Sequence, residues 1–151
     1  LALPTSRSAI VAAKFAVIAF WSAVLVAIVY LVGLGVGALV GLPGGSTQLV
    51  LQGGVAIAIT AALTLASVTP IIFFASAGHG YLAPMGVAIL AIFLAQIIAV
   101  AGWGEYVPWS IPALYSQGET LGVVSYAIIT VTGVAGLAAT FIWWELADQT
   151  H

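Results

Sequence analysis

The chain has 151 residues, of which 64% are hydrophobic and only 4% are charged. A soluble domain has about a quarter charged residues, so a mean hydropathy of +1.28 excludes a water-soluble globule and indicates lipid as the solvent. The net charge of −2 gives no indication of nucleic-acid binding, and the lack of cysteine excludes thiolate metal sites. Because His79 and His151 are far apart, we expect no metal or other cofactor.

Four apolar blocks are each long enough to cross a bilayer, whose hydrocarbon core of about 30 Å requires about 20 helical residues. We therefore predict an all-α membrane protein, a single transmembrane domain with four membrane-spanning helices plus a short interfacial or re-entrant helical segment. The predicted spans are residues 16–40, 50–74, 82–101 and 123–144.

The first span carries glycines at every fourth position, and this spacing predicts close packing against another helix, in the same chain or in a second copy. The alternative is that glycine is simply common in membrane helices. A weaker version of the same spacing occurs in the last span, at Gly133, Gly136 and Thr140. The glycines of the first span are Gly33, Gly37 and Gly41.

Few polar side chains lie within the second and third spans. Thr60, Thr64 and Ser67 share one face of the second span, which Pro70 is expected to kink near its end. Gln96 lies near the end of the third span. These four polar residues are candidates for lining a substrate path, but hydroxyls can instead bond to their own helix and Gln96 to a neighbouring one.

Residues 102–122, the connecting segment, separate the third span from the fourth. The segment is too short and too polar to cross the bilayer, and its aromatic residues and prolines are typical of an interfacial or partly re-entrant position. Its candidate functional residues are Glu105, Tyr106, Pro108, Trp109 and Pro112.

Four spans place both termini on the same side of the membrane. The only two basic residues, Arg7 and Lys14, lie on that side, and Glu105 and Glu119 lie on the other. By the positive-inside rule, both termini are expected in the cytoplasm and the connecting segment outside it. Lys14 lies just before the lipid core, where its ammonium group can extend to the headgroups.

Several functions are disfavoured by what the spans lack. No carboxylate, lysine or arginine lies within a span, which argues against proton-coupled antiport and against intramembrane aspartyl or metalloproteases. The positions of His79 and His151 likewise argue against an intramembrane serine protease. No phosphate-binding glycine loop precedes a lysine, so we expect no ATPase in this chain and any ATP hydrolysis in a separate subunit.

Three stretches of the chain resemble ABC type-2 exporter permeases. Residues 3–15 (LPTSRSAIVAAKF) resemble the segment that leads into the third span of those proteins. Residues 78–86 (GHGYLAPMG) and 102–114 (GWGEYVPWSIPAL) resemble the bacitracin-resistance subgroup. The ending Trp143-Trp144-Glu145 is also similar, although Glu145 stands where a basic residue is more usual.

The resemblance implies a permease subunit that moves a hydrophobic or amphipathic substrate outward, such as a peptide antibiotic. It implies six spans, of which this chain would be the C-terminal two-thirds, a cytoplasmic ABC ATPase subunit and a second permease half, with a homodimer expected. The residues that would couple to the ATPase are Leu3, Pro4, Arg7 and Lys14. The connecting segment, with the five candidate residues named above, would form an outer gate.

Two alternatives stay open at this point. Arg7 could serve only to set the topology. The chain as a whole could be a non-transporting four-helix membrane scaffold or assembly subunit, which further spans upstream of Leu1 would argue against.

Overall fold

The computed structural model describes residues 6–41, 45–78 and 80–147, and every regular element in these ranges is a helix. Four of the helices are long and apolar enough to cross a membrane, which confirms the predicted four-span all-α fold with a further short helical segment. The elements are α1 (Arg7–Leu39), α2 (Thr47–Ala77), α3 (Leu82–Val100), a 3₁₀ turn (Gly104–Tyr106), α4 (Ile111–Ser116) and α5 (Val123–Leu146).

Two serine caps explain where the first two helices begin. The Ser6 hydroxyl accepts a hydrogen bond from the Ala9 amide, and the Ser46 hydroxyl accepts one from the Leu49 amide, at 3.3 Å each. α1 therefore begins at Arg7, nine residues before the predicted membrane span starts at residue 16. Its 33 residues span about 50 Å, so its first turns extend beyond a hydrocarbon core of about 30 Å.

α2 and α5 form the largest helix–helix interface, and glycine is required where they cross. A Cβ atom added to Gly136 would lie 2.6 Å from the backbone nitrogen of Pro70, and one added to Gly133 would lie 3.1 Å from the Ala66 Cβ. The two backbones can approach this closely only because α5 has no side chain at these positions.

Pro70 and Thr69 complete this crossing through the backbone of α2. Proline has no N–H, so the Ala66 carbonyl lacks its usual helical donor four residues later. The Thr69 hydroxyl lies 2.9 Å from that carbonyl oxygen and 3.1 Å from the Gly133 carbonyl oxygen on α5. Its single proton can serve one acceptor at a time, so Thr69 bridges the interrupted helix and its neighbour.

α1 buries the fewest residues of the four long helices, since Val11 is its one buried residue in the described structure. Near its far end, the Tyr30 hydroxyl donates to the Val50 carbonyl oxygen of α2. The Tyr30 ring lies over Gly54, where an added Cβ would be 3.3 Å from the tyrosine hydroxyl. At this point α1 therefore contacts α2 through the Tyr30 side chain, which packs on Gly54.

The connecting segment folds back onto the bundle. The Ser110 hydroxyl lies 2.5 Å from the Gly104 carbonyl oxygen and 2.9 Å from that of Val107, and it can donate to either of them, which closes the segment into a compact turn. Ile111 is fully buried, and α4 packs against α2. A Cβ at Gly104 would lie 3.2 Å from the Ala99 backbone, so glycine lets the 3₁₀ turn rest directly on α3.

We predict that Gly136→Ala lowers the free energy of unfolding by about 1 to 3 kcal/mol, as expected for overpacking at a tight contact. Thermal unfolding in detergent micelles measures the change. Gly86→Ala is the matched control, because an added Cβ there meets nothing within 4 Å and alanine favours the helix. Equal melting temperatures for the two variants would contradict the close α2–α5 crossing.

Candidate functional site

Both basic residues contact the end of α5. The Arg7 guanidinium donates a hydrogen bond of 3.1 Å to the Ala147 carbonyl oxygen, which lies just beyond the last turn of α5. The Lys14 ammonium lies 4.4 Å from the centre of the Trp144 ring. A cation beside a helix C-terminus and a cation over an indole face are both favourable contacts. Together they join the start of α1 to the end of α5, and we call this the terminal end of the bundle.

Aromatic rings form a layer beside these cations. Phe15 of α1 stacks with Phe141 of α5 at a centroid distance of 6.0 Å, and Phe73 of α2 meets Trp143 edge-on at 6.1 Å. The layer ties three spans together at the terminal end. Of the predicted coupling residues, Arg7 and Lys14 therefore lie in one cluster, whereas Leu3 and Pro4 lie outside the described residues.

The partners of these cations were missed in the sequence, although one signal for them existed. A four-span topology brings the Trp143–Trp144 pair to the same membrane face as Lys14, and a lysine near exposed indoles favours a cation–π contact. The carbonyl of Ala147 carries no such signal, because any residue at the end of α5 would offer one.

Two of the three glycines of the predicted α1 stripe, Gly33 and Gly41, have no close neighbour among the described residues. An added Cβ at Gly33 would meet no atom within 4 Å. Gly41 lies at the end of α1 with a φ of +66°, so its backbone conformation rather than packing accounts for that glycine. The stripe lines a shallow groove of about 500 Å³ on the outside of α1. Its role in helix packing stays a prediction.

The predicted hydroxyl face of α2 is satisfied internally. The hydroxyl groups of Thr60, Thr64 and Ser67 donate to the carbonyl oxygens of Ala56, Thr60 and Thr64 at 2.8 to 2.9 Å. Each hydroxyl thus bonds to its own helix, the alternative considered for these residues. Gln96 lies apart from this face, beside α4, so the four candidates do not form one site.

An apolar crevice runs between α1 and the α2–α5 pair. It consists of two cavities of about 350 and 390 Å³ that share Ala19 and Leu65. The first extends to Tyr30 and the second to Phe15 and Thr69. No ionisable side chain other than the Tyr30 phenol lines either cavity, so the crevice suits apolar groups.

The connecting segment places its candidate residues in different surroundings. Trp103 and Tyr106 pack against each other at a centroid distance of 5.8 Å and are largely exposed. Hydrogen bonding to the Glu105 carboxylate, and then the negative charge of that group, raise the pKa of Tyr106. Pro112 is buried in the first turn of α4, where a proline fits because no helical donor is needed there.

A second, more polar cavity of about 270 Å³ lies between α3 and α4. Trp109 and Gln96 line it, whereas Pro108 precedes it on the half-buried part of the segment. Within residues 6–41, 45–78 and 80–147, no group of three or more His, Cys, Asp or Glu residues could hold a metal ion.

We predict that Thr69→Val lowers the free energy of unfolding by about 1 to 2 kcal/mol, because the Ala66 carbonyl loses its donor inside the bundle. Thr64→Val is the matched control, since the Thr60 carbonyl keeps the backbone donor of residue 64. Chemical denaturation in mixed micelles measures both changes. A larger loss for Thr64→Val than for Thr69→Val would contradict the assigned role of Thr69.

We also predict that Glu105→Gln lowers the pKa of Tyr106 towards its ordinary value of 10.0. The raised pKa favours the protonated phenol, so the Tyr106–Glu105 contact is present below pH 10 and is lost as the pH rises through the Tyr106 pKa. Ultraviolet titration of the phenolate measures the shift, with a Tyr106→Phe variant to identify the signal. An unchanged pKa in Glu105→Gln would refute the contact.

A family model described as ABC-2 family transporter protein matches residues 1–96. The match covers α1, α2 and α3 as far as Gln96, and it ends before the connecting segment and α5. No curated protein and no solved structure matches the chain. Because the match spans more than half of the 151 residues and the fold has four helices able to cross a membrane, the chain is a multi-pass membrane protein that belongs to the ABC-2 transporter family.

Proposed function

We propose that this chain is the membrane-spanning permease subunit of an ATP-driven exporter of the cell membrane. Membership of the ABC-2 family implies association with a membrane and with an ATPase subunit, and the membrane component is not itself the ATPase. The cargo would be hydrophobic or amphipathic, with a peptide antibiotic of the bacitracin-resistance type as the candidate, and transport would be outward.

The apolar crevice between α1 and the α2–α5 pair carries the proposal for the cargo. Its polar lining groups are few, namely Ser22, Tyr30, Thr69 and Thr130, and no charged side chain faces it. An ion entering it would lose hydration without gaining a counter-charge, which costs several kcal/mol or more. Burying an apolar group in the crevice, by contrast, carries no such desolvation cost. The proposed path therefore follows this crevice, which Thr60, Thr64 and Ser67 do not line.

The terminal end would be the cytoplasmic side, where the ATPase subunit binds. Arg7 and Lys14, the two basic residues of the chain, both lie at this end. The positive-inside rule assigns the end that carries the basic residues to the cytoplasm. Because Arg7 contacts the end of α5, a displacement of the start of α1 would be transmitted directly to α5. α1 packs loosely, so this span would move against the tighter α2–α5 pair. The Gly33–Gly37–Gly41 stripe would meet a second permease copy.

The connecting segment would then lie on the outer side as a gate over the bundle. Its compact turn rests on α3 through Gly104, and its short helix packs on α2. Movement of α2 or α3 would therefore displace the segment as a unit.

We predict that affinity purification of the full-length protein from its native membrane recovers an ABC ATPase subunit. Quantitative mass spectrometry of the purified complex, compared with a purification of an unrelated membrane protein of similar abundance, measures the enrichment. Recovery without any ATPase, from cells that express one beside this protein, would refute the permease proposal and favour a scaffold.

We further predict that Arg7→Glu lowers the amount of substrate moved per ATP hydrolysed, because it replaces the bond to Ala147 with a repelled carbonyl–carboxylate pair. Arg7→Lys is the matched control at the same position, since lysine keeps a cationic donor for the Ala147 carbonyl and should retain more of the coupling. Transport and ATP hydrolysis are measured together in proteoliposomes. Unchanged coupling in Arg7→Glu would leave Arg7 as a residue that only sets topology.

A further inference from the structure

We propose that a cluster in the connecting segment, formed by Trp103, Glu105 and Tyr106, binds an organic ammonium ion such as a trimethylammonium group. The cluster brings two aromatic rings and one carboxylate together around the 3₁₀ turn. Aromatic faces recognise quaternary ammonium groups, and a nearby carboxylate adds the counter-charge. The cluster lies at the end of the bundle opposite the terminal end and is separate from the apolar crevice.

The two rings are open to a ligand and are spaced so that one cation can contact both. Their centroids are 5.8 Å apart and their planes are tilted by 50°. A cation is attracted to a ring when it lies within about 6 Å of the centroid, and one cation beside the pair can meet that limit for both rings. Trp103 is 64% exposed and Tyr106 is 47% exposed, so a ligand can reach them from the surface.

The Glu105 carboxylate supplies the negative charge of the cluster. The Tyr106 phenol donates a hydrogen bond to it, and this bond is the main reason that the pKa of Tyr106 is raised. The bond holds the half-buried carboxylate beside the ring pair. A carboxylate can accept about four hydrogen bonds, so one phenol leaves room for a ligand. Because the phenol is neutral, it also leaves the negative charge uncompensated.

No lysine or arginine of the chain competes with an external cation at this site. The only two such residues, Arg7 and Lys14, lie at the terminal end, where they contact the end of α5. The second carboxylate of the connecting segment, Glu119, adds negative charge at the same end of the bundle as Glu105. Charge of one sign on a surface attracts ligands of the opposite sign. A cation is therefore the ligand that this end favours.

The side chains of the cluster favour an organic cation over a metal ion. Calcium takes six to eight oxygen ligands and magnesium takes six in a strict geometry, whereas the cluster offers one carboxylate. Within residues 6–41, 45–78 and 80–147, no group of three or more His, Cys, Asp or Glu residues could hold a metal ion. A trimethylammonium group instead presents methyl groups to the rings and its charge to the carboxylate.

The alternative is that the two rings only anchor the segment at the membrane interface, as Trp and Tyr commonly do. In that case the Glu105 charge would play no part in binding. An ammonium group could belong to a lipid headgroup or to a transported molecule, and both share the same chemistry. The proposal goes beyond the transport function, because it depends neither on the direction of transport nor on an ATPase.

The test uses the full-length protein in dodecyl maltoside micelles, whose headgroups are uncharged, with choline as the probe. The neutral counterpart is 3,3-dimethyl-1-butanol, which has the same shape with carbon in place of the charged nitrogen. Saturation-transfer NMR of the probe methyl groups measures binding at constant ionic strength. We expect saturable binding of choline and about tenfold weaker binding of the neutral probe, as two exposed cation–π contacts imply. Glu105→Gln and Trp103→Leu should each weaken choline binding about fivefold.

Each of these variants has a matched control. Glu119→Gln removes a carboxylate of the same segment outside the cluster, and Trp21→Leu removes an exposed tryptophan of α1. Both controls should bind choline like the wild type. Because Trp103 is largely exposed, Trp103→Leu should also keep the wild-type melting temperature.

Three results would overturn the proposal. The first is equal binding of the two probes, and the second is the lack of saturable choline binding. The third is a loss in Trp103→Leu without a loss in Glu105→Gln, which would leave the rings as an interfacial anchor only.

Two further arms distinguish the source of the ligand once binding is shown. Weaker choline binding in phosphatidylcholine nanodiscs than in micelles would identify the lipid headgroup as the occupant. Stimulation of ATP hydrolysis in the assembled transporter by dodecyltrimethylammonium, and not by dodecanol, would identify a cargo group. Choline binding by the protein alone is measured separately from the recovery of an ATPase, so failure of the transport proposal and failure of this one are distinguishable.

Discussion

The close crossing of α2 and α5 is the contact on which the rest of this fold depends. In a bilayer, lipid tails solvate apolar helices as well as other helices do, so association relies on close packing and on hydrogen bonds between helices. Gly133 and Gly136 allow the close packing. Thr69, beside the interrupted backbone at Pro70, makes the hydrogen bond between the two helices. The other two spans pack against this pair less extensively. α1 contacts it through Tyr30 and through the cluster at the terminal end, and α3 contacts it partly through the connecting segment.

In the proposed mechanism, α1 is the span that moves, because it packs less tightly than α2 and α5 pack against each other. A tight α2–α5 pair beside a loosely held α1 leaves an apolar crevice between them that can widen without breaking the central contact. The cluster of Arg7, Lys14 and the α5 end lies where force from an ATPase would arrive. The connecting segment, seated on α3 and α2, lies at the opposite end. In the proposed mechanism, the α2–α5 pair would stay fixed while α1 moves, and this motion would serve both coupling and gating.

The spans could be predicted from the sequence because bilayer thickness limits helix length, and hydropathy records that limit directly. The sequence also carries a helix-start signal before the first span, at Thr5, Ser6 and Ser8, and of these Ser6 is the cap of α1. The glycine spacing identified both stripes; the structure packs the α5 stripe against α2, and the packing role of the α1 stripe stays a prediction. Spacing shows that a helix can be approached and not by which partner. Gly33 meets no described helix, whereas Gly136 meets Pro70. The hydroxyls of Thr60, Thr64 and Ser67 bond to their own helix, which is the local alternative that the sequence offered. The position of Gln96 beside α4 depends instead on tertiary contacts that no local pattern encodes.

Disulfide trapping across the α2–α5 crossing tests the central contact most directly, since the chain contains no cysteine of its own. An added Cβ at Gly133 lies 3.1 Å from the Ala66 Cβ, a little closer than the usual separation of about 3.8 Å in a disulfide. The Ala66→Cys/Gly133→Cys pair in native membranes should form an intramolecular disulfide rapidly under mild oxidation. The Ala66→Cys/Val131→Cys pair should not, because Val131 is exposed and lines neither cavity of the crevice. Trapping of the second pair but not the first would contradict the crossing described for these helices.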